Sequence, residues 1–254
     1  MDLNLVGKRA LITGGSKGIG LACAHALASE GVNLAIAART VEPLKAATKA
    51  LRNGYDVEVS SHSCDLGRSE HQAALVDVVG DIDIVINNAG AIPGGTLDSI
   101  DEQTWRAAWD LKVFGYINMC RLMLPRMTKR GSGVIVNIIG TAADHPQATY
   151  IAGAAGNSAL VGLTKALGAS STMSGVRVVG INPGLTLTDR MENLLREQAD
   201  RTLGDAERWE ELIPVDPVPA SAEQIADVAV FLASERADHI SGTTITVDGG
   251  ASAR

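Results

Sequence analysis

Aromatic residues are scarce in this chain, which holds three tryptophans, three tyrosines and two phenylalanines among 254 residues. With so few, an aromatic-lined site cannot be argued, and Tyr55, Tyr116 and Tyr150 are the only phenols on offer. Cysteine is equally sparse. Cys23, Cys64 and Cys120 lie far apart, with no CxxC and no Cys/His ligand spacing. That argues against a disulfide framework or a structural zinc and for reduced thiols in a cytoplasmic protein. Positive charge is in deficit, 22 Lys and Arg against 29 Asp and Glu for a formal net charge of −7. A nucleic-acid groove or an anionic membrane is therefore not the expected partner. No apolar run approaches the roughly 20 residues that span a bilayer. Met1–Gly14 leads straight into a strand pattern without the basic segment and apolar stretch of a signal peptide. What remains is an ordinary globular composition, 46% hydrophobic and 20% charged. It is long enough to bury a core without a staple, and one domain over residues 1–254 is expected.

Short β-branched runs alternate with longer alanine-rich stretches from end to end. Strands are expected at Arg9–Thr13, Val32–Ala38, Val57–Ser60, Ile82–Asn87, Val134–Ile138, Val176–Ile181 and Thr243–Val247. Most are continuously apolar, as in strands covered on both faces. Helices are expected near 18–30, 41–53, 69–79, 101–128, 153–172 and 222–234. Repeated βα units of this kind call for a parallel sheet between two helical layers. The least regular stretch, Thr188–Ala220, is polar and charged. It reads either as a mobile flap over a substrate or as a surface loop carrying one helix. Within it Met191, Leu194, Leu195, Trp209 and Leu212 fall at roughly helical spacing, a stripe suited to core or subunit contact or to capping a substrate.

The first strand runs into Thr13-Gly14-Gly15-Ser16-Lys17-Gly18-Ile19-Gly20 and then a helix. A glycine-rich strand-to-helix turn turns backbone N–H groups and a helix N-terminus toward a pyrophosphate. Gly18 and Gly20 permit close approach, and the strand and helix on either side supply the context the motif needs. The second strand ends in Ala38-Arg39-Thr40. An acidic residue there would hold a ribose 2′-hydroxyl, whereas Arg39 suits a 2′-phosphate, and Lys17 adds a second cation. Both favour NADP(H) over NAD(H).

Further motifs follow in order: Cys64-Asp65-Leu66, Asn87-Asn88-Ala89-Gly90, Asn182-Pro183-Gly184 with Thr188, and ISGTTITVDGG at the C-terminus. Together with the glycine turn they closely resemble the short-chain dehydrogenase/reductase family over nearly the whole chain. The resemblance implies a single doubly wound, Rossmann-type α/β domain with a seven-stranded parallel sheet. It also implies NAD(P)(H) across the carboxyl ends of the strands, a small-molecule substrate, and a homodimer or homotetramer. By motif match Gly14, Ser16, Lys17, Gly18, Ile19 and Gly20 face the cofactor, with Asp65 and Leu66 beside the adenine. Asn88, Ala89 and Gly90 line the adenosine ribose side, and Pro183, Gly184, Thr186 and Thr188 hold the carboxamide.

The family's catalytic Asn–Ser–Tyr–Lys set is not reproduced. Tyr150 is followed at four residues by Ala154, so YxxxK is absent. Lys112, Gly115 and Pro125 keep the family's spacing from its Asn, which places Lys112 at that Asn. Asn137-Ile138-Ile139-Gly140 puts Gly140 at the Ser, and the same register puts Gly153 at the Tyr and Asn157 at the Lys. The family's roles therefore do not carry over to these four positions. Lys and Asn have in effect changed places, which keeps one ammonium and one amide in the pocket, while drift would also leave two polar residues there now and then. Tyr116, on the same helix face as Lys112, is expected to pack in the core or at a subunit contact. Tyr150 precedes Gly153 by three residues and can reach its place if the chain there is already helical, an offset of about 4.5 Å. An extended chain would carry it about 10 Å off. Thr141, Asp144 and His145 are further polar groups of the same loop.

Three functions remain open. One is an NADP(H)-dependent oxidoreductase acting on a carbonyl or alcohol, in which Tyr150 moves the proton and Lys112 and Asn157 complete a rearranged set. The second is an NADP(H)-binding protein, a sensor or subunit, without chemistry. The third is a lyase, hydratase or isomerase using Lys112 and Tyr150 without redox. No metal is expected.

Overall fold

The computed structural model describes residues 1–253. Its main sheet contains β1 (Arg9–Thr13), β2 (Asn33–Ala38), β3 (Val59–Ser63), β4 (Ile84–Asn87), β5 (Gly133–Ile138), β6 (Val176–Pro183) and β9 (Thr244–Val247). All neighbours are parallel, in the order β3-β2-β1-β4-β5-β6-β9. The chain works outward from β1 to β3 and then crosses back to β4 and works the other way. The C-terminal ends of β1 and β4 therefore part at the centre of the sheet, where a doubly wound fold leaves its crevice.

Alternate strand residues serve opposite layers, the period of two that pleating imposes. Ala10, Ile12, Ile84, Ile86, Val136 and Ile138 pack on one face with Leu27 of α1 (Gly18–Ser29), Leu44 of α2 (Val41–Gly54) and Ile225 of α8 (Ala222–Ala233). Leu11, Val85 and Ile135 pack on the other with Leu75 of α3 (Ser69–Val79) and Met119, Met123 and Met127 of α5 (Gly115–Arg130). α6 (Ile151–Ser171) joins that second layer through Leu160 and Val161, which meet Val113 and Tyr116. Burial on both faces explains why the strands read as unbroken apolar runs.

Several expected elements take different bounds, and the irregular stretch acquires a definite structure. The helix expected over 101–128 is split into α4 (Glu102–Trp109), a π-helical turn (Asp110–Phe114) and α5. Asp101 caps its start by accepting Thr104 N at 2.7 Å, and Gly131 ends it in the left-handed conformation. The third strand runs over Val59–Ser63 rather than 57–60, and α6 begins at Ile151 rather than 153. The irregular stretch holds a fifteen-residue helix, α7 (Asp189–Leu203), and a 3-10 segment (Ala206–Leu212). Two short parallel strands, β7 (Thr186–Leu187) and β8 (Ala220–Ser221), join its ends.

α6 lies so close to the sheet that a Cβ at Gly168 would overlap Gly242 N and stand 2.5 Å from Val178 O. Alanine is the better helix former by about 1 kcal/mol, but backbone atoms on two sides cannot yield without moving β6 or the turn before β9. We expect Gly168→Ala to destabilise the fold by about 1–3 kcal/mol net and to lower the melting temperature by several degrees. A thermal melt checks this, and an unchanged or higher midpoint would show that the close approach is not rigid.

Candidate active site

The crevice is built around Thr13, at the end of β1. Its hydroxyl donates to Ile86 O and accepts from Asn88 N at 2.9 Å and Ala89 N at 3.2 Å. The Asn88 amide donates to the carbonyls of Thr13 and Gly14 at 3.1 and 3.2 Å. Asn88 thus ties the glycine turn to the end of β4, and Gly20 is excluded from bearing a side chain because its Cβ would overlap Gly14 O and Asn88 Nδ2. α1 begins at Gly18 with no side-chain cap and no acid in its first turn, so its N-terminus faces the crevice as a positive pole. Ser16, Gly18 and Ile19 are half-buried along that edge and Lys17 is exposed. The methyl group of Thr188 comes within 3.4 Å of a Cβ built on Gly18, which brings the start of α7 against the turn.

Arg39 is exposed at the end of β2. Its carbonyl accepts from Ser63 Oγ at 3.3 Å, and among the described residues no acid pairs with its guanidinium. Asp65 Oδ1 accepts from Gly67 N at 3.0 Å, and Leu66 is buried in the second apolar layer. Thr186 Oγ1 donates to Gly184 O at 3.0 Å, and Thr188 Oγ1 caps α7 by accepting Met191 N at 3.3 Å. Pro183 closes β6, and Gly184 N donates to Val247 O. The expected cofactor-side residues therefore share one crevice rim. The uncapped helix start and the glycine cradle fit the pyrophosphate of a dinucleotide, and Arg39 stands exposed on the same rim.

At the end of β5, three successive carbonyls are taken by three side chains. Tyr116 Oη donates to Ile138 O at 2.8 Å, Lys112 Nζ to Ile139 O at 2.6 Å and Asn157 Nδ2 to Gly140 O at 3.4 Å. Tyr116 is thus a core residue, and burial pushes its hydroxyl well above the usual tyrosine value. Lys112 comes from the π-helical turn and Asn157 from α6, so the two meet as neighbours beside the same strand end. Asn157 Oδ1 is buried without a hydrogen-bond partner. Tyr150 is the residue just before α6, and its carbonyl accepts from Ala154 N at 2.9 Å. Its ring lies over Gly153, where a Cβ would overlap Tyr150 Cε1 and Cζ. Tyr150, Gly153 and Asn157 therefore follow one side of α6. Trp109 Nε1 holds the start of that helix by donating to Ala152 O at 2.9 Å.

The other polar residues of that loop take different places. His145 is exposed, Thr141 opens a 3-10 turn, and Asp144 Oδ2 accepts from Asn182 Nδ2 at 2.8 Å. Tyr55 meets His25 Nδ1 at 3.2 Å, away from this strand end. No group of three or more metal-ligating side chains occurs among the described residues, nor is any helix there long and apolar enough to cross a membrane.

One residue of the site escaped the sequence reading. Arg190, on the first turn of α7, donates from Nη1 to Gly90 O at 2.5 Å and from Nη2 to Ile92 O at 2.8 Å. Leu194, four residues on, faces Gly94. The stripe of Met191, Leu194 and Leu195 was legible, and Arg190 shares the helix face of Leu194 by i,i+4 spacing. A charge at the edge of an apolar stripe was the one available signal. Met191 and Leu195 are buried, while Trp209 lies under Arg196, whose guanidinium is 5.5 Å from the ring centroid.

Burial, and then the neighbouring Arg190, lower Lys112 from the ordinary lysine value of 10.5 to about 7. In the unfolded chain the ordinary value returns, so between about 7 and 10.5 the unfolded state holds the extra proton. Stability therefore rises with pH across that window, and below about 7 the cost of the held charge is fully present. Lys112→Met keeps the stem and removes the charge. It should be more stable than wild type near pH 6, with the difference shrinking toward about pH 9. Melts of both proteins across that range test this; a difference independent of pH would place Lys112 in water.

The sequence profile of the short chain dehydrogenase family matches residues 8–199. The chain is 33% identical to the 3-oxoacyl-[acyl-carrier-protein] reductase FabG of Chlamydia muridarum over 98% of its own length and 99% of that protein's. It is also 33% identical to D-threitol dehydrogenase of Mycolicibacterium smegmatis, over 98% of this chain and 94% of the other. Among solved structures, L-sorbose reductase from Gluconobacter frateurii complexed with NADPH and L-sorbose superposes with a TM-score of 0.91 at 33% identity, covering 98% of each chain. An actinorhodin polyketide ketoreductase variant with NADPH superposes at 0.90 with 27% identity, again over 98% of each. The match in profile, in full-length sequence and in doubly wound architecture makes this chain a member of the short-chain dehydrogenase family.

Proposed function

We propose that the protein is an NADP(H)-dependent oxidoreductase interconverting a carbonyl and an alcohol with a rearranged acid–base set, in place of the family's usual Asn–Ser–Tyr–Lys. The observation that carries this reading is the Tyr150 ring lying over Gly153, a phenol beside the glycine that the register sets at the family's tyrosine. The glycine cradle, the α1 N-terminus and Arg39 support a 2′-phosphorylated dinucleotide, and NADPH in two structural neighbours agrees with it. When bound, the dinucleotide supplies or accepts a hydride.

The chain's own residues account for the rest. Gly14, Gly18 and Gly20 let the backbone approach phosphate, and Lys17 and Arg39 meet the 2′-phosphate. Pro183, Gly184, Thr186 and Thr188 orient the carboxamide end. In reduction, Tyr150 donates its phenolic proton to the substrate oxygen as the carbonyl becomes an alcohol, and the phenolate is reprotonated from water. Lys112, fixed on Ile139 O, offsets the charge left on that oxygen, and Asn157 orients the group beside it. The segment 188–220 covers the substrate, with α7 as its inner wall. Second copies of the chain complete a homodimer or homotetramer in the cytoplasm.

Fluorescence titration with NADPH and NADH tests the cofactor. NADPH should bind well ahead of NADH, and Arg39→Ala should weaken NADPH by about tenfold or more while sparing NADH. Equal binding of the two would overturn the 2′-phosphate assignment, and binding of neither would remove the redox reading. For the chemistry, Tyr150→Phe should cut carbonyl reduction by about 100-fold or more with unchanged NADPH affinity. Unchanged turnover would exclude Tyr150. Cofactor binding without hydride exchange on a broad carbonyl panel would favour the sensor, and substrate conversion without redox change would favour the lyase or isomerase.

A further inference from the structure

Two cations converge on one glycine at the inner end of the crevice. The stem of Lys112 lies against Gly90, where a Cβ would stand 2.8 Å from Lys112 Cδ, and Arg190 holds the Gly90 carbonyl. They arrive from different elements, Lys112 from the π-helical turn and Arg190 from α7. Both are partly exposed. Among the described residues neither is paired with a carboxylate. The partners of their charged heads are the neutral carbonyls of Ile139, Gly90 and Ile92. Asp144, the acid on the turn after β5, is held by Asn182. Two neighbouring cations in a partly desolvated site cost free energy unless an anion is bound beside them, and among the described residues no carboxylate pairs with either.

We propose that the space between Lys112 and Arg190 receives a carboxylate of the substrate, so that the compound turned over is a short oxo or hydroxy acid rather than a neutral ketone or sugar. The assignment rests on the oxidoreductase reading above. A single negative charge fits better than a phosphate dianion, because two of the guanidinium's nitrogens are already committed to backbone carbonyls.

Calorimetric titration tests the proposal on the free protein and on the protein saturated with NADP+. The probes are pyruvate, acetoacetate and levulinate, each against its methyl ester, with dihydroxyacetone phosphate as the phosphate control. At least one oxo acid should bind about tenfold or more tighter than its ester. Arg190→Met should abolish that preference, and Arg190→Lys should restore part of it, which a purely structural latch would not do. Acids and esters binding alike throughout, or a preference that survives in Arg190→Met, would overturn the proposal. Tighter binding of dihydroxyacetone phosphate than of every oxo acid would replace carboxylate by phosphate. The underlying reading fails separately, by loss of NADPH binding or of hydride exchange while the acid preference persists on the free protein.

Discussion

A backbone carbonyl removed from water must be bonded, and leaving one unmet costs about 1–3 kcal/mol. At the end of β5 Tyr116 and Lys112 meet it for Ile138 and Ile139, and Asn157 joins Ala143 N on the Gly140 carbonyl. The arrangement fixes three elements at once. α5 is anchored through Tyr116, the π-helical turn through Lys112 and α6 through Asn157. The polar floor of the crevice is thus a by-product of finishing a strand, and two of the groups proposed for chemistry, Lys112 and Asn157, are already held in place by the fold.

Glycine makes room for each of these groups. Lys112 lies against Gly90, Asn157 against Gly140 and the Tyr150 ring over Gly153, and a Cβ would collide in each case. Gly140 also has φ of +135°, which L side chains rarely adopt. The glycines are fitted to the polar side chains around them, which is hard to obtain from the loss of side chains alone. A pocket that had merely decayed would leave space at Gly140 and Gly153; here the space is filled. That packing is the physical ground for treating Lys112, Tyr150 and Asn157 as one rearranged set.

Much of the fold was legible because burial on both faces writes itself into sequence as continuous apolar runs. β1, β5 and β6 were placed to within one or two residues at their ends, and the glycine turn could be set between its strand and its helix. The π-helical turn was not legible. It inserts a residue into an otherwise regular helix at the place where contacts are made across the fold, Trp109 on Ala152 and Lys112 on Ile139. Propensity along one helix carries no trace of them. Tyr150 could be left only as two alternatives, because its reach depended on whether the chain had entered α6. It stands at that boundary, and its carbonyl already accepts the helical bond from Ala154 N. Arg190 looked like any polar residue at the start of a surface helix until α7 was laid over the loop at Gly90.

The charges of the crevice run against those of the whole protein. The chain carries −7, yet Lys17, Arg39, Lys112 and Arg190 all lie along the rim and floor where the proposed ligands bind. An acidic surface around a cationic crevice concentrates the field in the crevice and draws anions there. The same arrangement couples charge to protonation. Lys112 is lowered by burial and by Arg190, so an anion placed between them opposes both influences and favours the ammonium. By linkage, an anionic ligand then binds more tightly when Lys112 is protonated and retains a proton there when it arrives. Binding of the proposed anion and the charge state of Lys112 are in this way tied to one interaction, which a neutral ligand would leave unused.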